Sequence, residues 1–106
     1  MLLSLYMEII KQINGDELVL KIVGELNTST YVELEEVVSK SLNGVKTLIF
    51  DFSELVYISS AGLRILLTAK KMMDAKQGKM IIRHANNVVM EIFDITGFSN
   101  ILDFEK

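Results

Sequence analysis

The residues whose types and spacing come nearest to chemistry are Ser59-Ser60-Ala61-Gly62, where two hydroxyls stand at the transition from an apolar run to a helical pattern. A helix start leaves backbone N–H groups unpaired and carries a partial positive charge, so a phosphate of charge about −2 on either serine is held there without unfolding a domain. Serine also serves as a helix cap, and spacing alone leaves both uses open. Covalent catalysis finds no support. The lone His84 follows an apolar stretch with no second histidine beside it, and no serine sits in a Gly-x-Ser-x-Gly turn. Six dispersed glycines form no phosphate cradle, and the carboxylates show no loop pairing that suggests acid–base work. The expectation is therefore a non-enzyme with no catalytic residue, no metal ligand and no cofactor. On the far side of the helix that follows the serines, Leu63 and Leu67 lie one turn apart and away from the apolar stripe Ile65, Leu66, Ala69, Met72 and Met73. With Leu63 packed on a neighbouring helix, Leu67 beside Lys70 leaves an apolar spot next to the serine turn, suited to a protein partner.

Several elements must position that turn. Met7 to Gln12 and Leu18 to Leu26 read as strands joined by Asn14-Gly15, which predicts an opening β-hairpin with Leu18, Leu20 and Ile22 sharing one face. Thr30 and Glu33 have capping-box spacing ahead of Tyr31, Leu34, Val38 and Leu42 at helical intervals, ending at Asn43-Gly44. Thr47 to Phe52 is a short apolar run that suits a central buried strand, with a loop from there to the serines. The serine helix should stop at Gly78, followed by a strand from Lys79 to Arg83. A third helix is capped by Asn86 or Asn87 and ended by Gly97, and Phe98 to Phe104 pack back. The order predicts an α/β domain over residues 1–106, with a mixed sheet, an N-terminal hairpin, later strands parallel through right-handed crossovers, and helices mainly on one face.

Composition narrows the function classes. With 106 residues, half of them apolar, and a formal charge of −3, the chain suits one compact core. Its basic residues are scattered except around Lys70, Lys71, Lys76 and Lys79, which read as a solvated helix flank, so nucleic-acid binding is not expected. The absence of cysteine permits a reducing cytoplasm. The opening Met1 to Met7 lacks the basic leader and cleavage site of a signal peptide, and no apolar run approaches the roughly 20 residues of a membrane helix. A cytoplasmic protein without direct membrane insertion is expected.

The segment Asp51-Phe-Ser-Glu-Leu-Val-Tyr-Ile-Ser-Ser-Ala-Gly-Leu63 resembles the signature of STAS domains, the anti-sigma factor antagonist family. Gly24-Glu-Leu-Asn27 before the first helix and Thr96-Gly-Phe98 near the end extend the resemblance over nearly the whole chain. It implies a mixed sheet flanked by helices and a role in transcription regulation. A kinase-like anti-sigma factor would be the partner, phosphorylating a serine at the start of the second helix and binding only the unmodified form. Ser60 matches the phosphoacceptor, with Ser59 as the alternative; Asn27, Ser59, Ser60, Ala61, Gly62 and Leu63 are the implied partner-binding positions, to which helical spacing adds Leu67. Ser59 stands where the family usually has an acid, Ala61 where a second serine is common, and Asn27 where many relatives carry aspartate. The alternative within the family is a constitutive adaptor in a stress-signalling or transporter assembly, without phospho-switching.

Overall fold

A computed structural model describes residues 6–105; the apolar opening Met1 to Leu5, and with it most of the segment read as no signal peptide, lies outside them. Strands β1 (Met7–Asn14) and β2 (Glu17–Leu26) form the expected antiparallel hairpin. Its loop is Gly15-Asp16 and not Asn14-Gly15, because Asn14 still pairs with Glu17. Only the first loop position has a positive φ, +63° at Gly15, the signature of a turn with glycine leading.

Helix α1 (Tyr31–Ser41) buries Leu34 and Val38, as the periodicity predicts, but no capping box forms. The Thr30 hydroxyl turns back into the preceding loop, donating to the Glu25 carbonyl at 2.8 Å and accepting from Asn27 N–H at 2.9 Å, and makes no bond to the first turn. Strand β3 (Thr47–Ile58) is twice the expected length. On the core face its buried positions are Leu48, Phe50, Phe52, Leu55 and Ile58, a spacing that widens from two to three, and Ile49 is buried on the other face. Pairing with β2 explains the change: Lys21 faces Asp51 but Val23 faces Glu54, and Gly24 faces Leu55 but Glu25 faces Tyr57. Each step inserts one extra residue into β3, a bulge that erases the alternation by which a strand is recognised. The expected loop is therefore bulged strand.

Helix α2 (Ser60–Ala75) is followed by β4 (Lys79–Arg83), α3 (Asn87–Thr96), a short 3-10 turn at Phe98–Asn100 and β5 (Asp103–Phe104), a strand too short to show periodicity. Gly78 is not the left-handed stop of α2; Gln77 takes that conformation with φ +60°. Gly78 N–H bonds the Met73 carbonyl at 2.8 Å and Gln77 N–H bonds that of Asp74 at 3.0 Å, which together make a Schellman closure.

The sheet runs β1-β2-β3-β4-β5, antiparallel at the hairpin and parallel thereafter. Leu18, Leu20, Ile22, Leu48, Phe50, Phe52, Met80 and Ile82 share one core with Leu34, Val38, Leu66, Ala69, Met73, Val89 and Phe93 from the helices. All three helices thus pack on one face. Parallel strands are usually covered on both faces; here the second face carries no helix among the described residues, Val19 and Ile49 are buried on it, and a row of charges runs beside them. Across it Lys21, Asp51 and Arg83 lie in register with alternating sign. Lys21 pairs with Glu54 at 2.7 Å, and Arg83 with Glu105 at 3.0 Å. Among the described residues no helix is long and apolar enough to cross a membrane.

Candidate functional site

The carboxyl ends of β2, β3 and β4 and the amino ends of the three helices meet at one edge of the sheet. Three loops are tied together there. Ser59 N–H donates to the Leu26 carbonyl at 2.8 Å, joining the serine turn to β2. Asn86 Nδ2 donates to the Leu55 carbonyl at 2.9 Å while its Oδ1 accepts from Val89 N–H at 2.9 Å, so one side chain both caps α3 and holds it to β3. Asn27, only 1% exposed, organises the third loop. Its carbonyl accepts from Thr30 and Tyr31 N–H, its Oδ1 accepts from Ser29 N–H at 2.9 Å, and its Nδ2 donates to Glu25 Oε1 at 3.2 Å. The Asn27 carbonyl therefore takes up the first N–H of α1, whose N-cap position is Thr30.

Within the serine turn the two hydroxyls have different fates. Ser59 is the N-cap of α2, half-buried, its Oγ accepting from Gly62 N–H at a long 3.5 Å. Ser60 is the first helical residue and is exposed, and among the described residues its hydroxyl makes no hydrogen bond. Ala61, Gly62 and Leu63 are buried behind it. A Cβ on Gly62 would stand 2.7 Å from both Ile58 Cγ1 and Leu26 Cγ, so the absence of a side chain is what lets α2 begin this close to the ends of β2 and β3. Leu67 is half-buried.

The partner-binding positions read from the sequence thus divide. Ser60, with the partly covered Ser59 and Leu67, offers surface, whereas Asn27, Ala61, Gly62 and Leu63 lie beneath it and shape it. Four residues missing from that set add surface on the elements at this edge. Val56 and Tyr57 are 56% and 43% exposed in the bulged end of β3, and Val32 is exposed on the first turn of α1. Arg64, one turn after Ser60 on the same helix face, is exposed with its guanidinium 5.8 Å from the centre of the Tyr31 ring. Val56 and Tyr57 were legible only as loop because the bulges mask the strand. Arg64 had a signal, its i+4 spacing from Ser60.

Asp51, at the head of the segment, braces the first bulge by accepting from Ser53 N–H at 2.9 Å. Partial burial opposes its ionisation, but the Ser53 hydrogen bonds together with the charges of His84 and Lys21 outweigh that and hold its carboxyl below the ordinary range.

A mixed five-stranded sheet with three helices on one face, and a serine turn at the head of the second helix, define the STAS architecture. The chain belongs to the STAS domain family, whose model matches residues 8–106. It is 34% identical over 79 residues, 74% of this chain and 68% of the relative, to BtrV of Bordetella bronchiseptica, a protein described as an anti-sigma factor antagonist. An anti-sigma factor antagonist from Mycobacterium paratuberculosis superposes with TM-score 0.85 at 16% identity, covering 96% of this chain and 87% of that one. Unphosphorylated SpoIIAA superposes with TM-score 0.81 at 19% identity, covering 93% and 89%; the phosphorylated form gives 0.74 at 18% identity, covering 93% and 92%. The three superpositions establish the fold; the 34% identical relative places the chain among the anti-sigma factor antagonists of the family.

Proposed function

We propose that this chain binds a kinase-like anti-sigma factor through the edge centred on Ser60, and that phosphorylation of Ser60 releases it. The observation that carries the reading is the division of labour in the turn: the Ser59 hydroxyl caps α2, while the Ser60 hydroxyl is exposed and unengaged. Val32, Val56, Tyr57 and Leu67 supply apolar contact area around it, and Arg64 supplies a charge-assisted donor. Asn27, Ala61, Gly62 and Leu63 contribute from below by holding this surface in shape.

The covalent step forms a bond from Ser60 Oγ to the terminal phosphorus of a nucleoside triphosphate as the β–γ phosphoanhydride bond breaks; the nucleoside diphosphate leaves and the hydroxyl proton passes to a base of the kinase. The product adds about two negative charges at the first position of α2, where the helix dipole and Arg64 stabilise them within the free domain. Fold is preserved, and the apolar contact area acquires a hydrated dianion. A loss of about 1.4 kcal/mol weakens binding tenfold, so one such group is sufficient for a switch.

Binding of the cognate kinase-like anti-sigma factor should be measured for wild type, Ser60→Ala and Ser60→Asp. Ser60→Ala should bind as wild type does and accept no phosphate when the partner and ATP are added, and Ser60→Asp should bind at least about tenfold more weakly. Equal affinity for all three would remove the switch. Phosphate found by mass spectrometry on Ser59 instead would move the acceptor by one residue.

A further inference from the structure

We propose that a second copy of this chain docks along β1, joining two sheets into one of ten strands about a two-fold axis centred on Ile10. Among the described residues strand β1 is an edge eight residues long whose charged side chains are Glu8 and Lys11 alone. The chain has no proline, and the β1–β2 ladder runs from Met7↔Gly24 to Asn14↔Glu17 without a bulge. Lys11, the one cation on the strand, is drawn sideways to α1, where its Nζ donates to Ser41 Oγ at 2.9 Å. The strand also displays Ile10 at 45% and Ile13 at 65% exposure, one on each face of the sheet.

The register follows from symmetry and charge. Directly opposite residues of an antiparallel pair share a face, so a two-fold axis normal to the sheet must pass beside a residue that faces its own copy. Centring on Ile10 sets Ile10 against Ile10, Glu8 against Gln12, Ile9 against Lys11, and the exposed Ile13 against Met7 at the rim of the core. No like charges meet. Centring on Lys11 sets lysine against lysine, and centring on Ile9 brings Met7 to Lys11 and leaves Ile13 outside the ladder. Because β1 runs antiparallel to its copy, the two Ser60 turns lie at opposite ends of the joined sheet. Both remain open, so this assembly is independent of partner binding.

The chain contains no cysteine, which makes single-thiol probes unambiguous. Sedimentation equilibrium should show the average mass rising from 12.0 kDa towards twice that value with concentration. Ile10→Lys, and separately Ile13→Glu, should stay monomeric with an unchanged circular dichroism spectrum. Under mild oxidation Ile10→Cys should cross-link to itself about tenfold faster or more than Glu91→Cys on the exposed face of α3, which reports random collision. Glu8→Cys should cross-link with Gln12→Cys and not with itself. A wild type that stays monomeric to its solubility limit would overturn the proposal, as would a dimer in which the thiol at position 10 reacts no faster than that at position 91.

Discussion

Asn27 and Ser60 stand at the same edge of the sheet and respond oppositely to truncation. Asn27→Ala removes a buried amide that accepts from Ser29 N–H and the buried Thr30 hydroxyl and donates to Glu25, and leaves a void where it packed. Its expected cost is about 2 kcal/mol. Ser60→Ala removes an exposed hydroxyl without a bonding partner among the described residues and should change stability by no more than about 0.5 kcal/mol. Urea denaturation of both variants measures the difference directly. An equal loss from each would mean that Ser60 also serves the fold, and the binding comparison above would then need Ser60→Thr as well. The family resemblance makes Asn27 a candidate contact because a motif gives a residue's place in the chain and not its depth. Its burial follows from the inward turn of the loop between β2 and α1.

At the scale of the element, the end of α2 carries an avoidable strain. Gln77 occupies the left-handed region with φ +60°, where a Cβ crowds the following carbonyl. Gly78 beside it is unavailable for that role, since a Cβ there would meet Met73 Cε at 2.7 Å and the Lys46 carbonyl at 2.9 Å. Its job is close packing between α2 and the start of β3. Gln77→Gly should therefore stabilise the domain by about 1 kcal/mol, read as a shift of the denaturant midpoint at unchanged slope. A destabilised variant would show that the Gln77 side chain holds the turn. Lys76 reinforces the same corner: its Nζ donates to the carbonyls of Leu42 and Val45, closing the chain that leaves α1. The basic cluster read as a solvated flank is thus partly structural, with Lys70 paired to Asp74 and Lys76 tied to the preceding loop.

The whole molecule has one core and, among the described residues, one sheet face that no helix covers. A run of rings, Phe50 to Phe52 at 5.8 Å, Phe52 to Phe93 at 6.4 Å and Phe93 to Phe104 at 5.7 Å, links the central strand through α3 to the final strand. The charged row on the second face makes part of the stability depend on pH. Asp51 has its folded-state pKa lowered, so its contribution is fully present above the unfolded value and is lost as pH falls through the folded one. Asp51→Asn keeps an acceptor for Ser53 and removes the charge. The variant should be less stable than wild type by a constant amount between about pH 5 and pH 8, and the gap should close below about pH 4. Thermal unfolding across that range tests it; a gap that persists in acid would assign the effect to packing.

Much of this was determined by sequence alone. The hairpin, the three helices, the parallel later strands and the serine turn follow from periods of 2 and 3.6, from glycine punctuation, and from the Asp51 to Leu63 segment that marks the family. These are local signals, carried by residues near one another in the chain. Tertiary structure decided the rest. The two bulges in β3 arise from pairing with β2, so they break the alternation without leaving a local mark, and they bring Val56 and Tyr57 to the surface beside Ser60. The two-residue β5 exists only because β4 offers an edge. Which serine caps and which faces solvent depends on how closely α2 approaches Leu26 and Ile58, a distance fixed by packing across three elements.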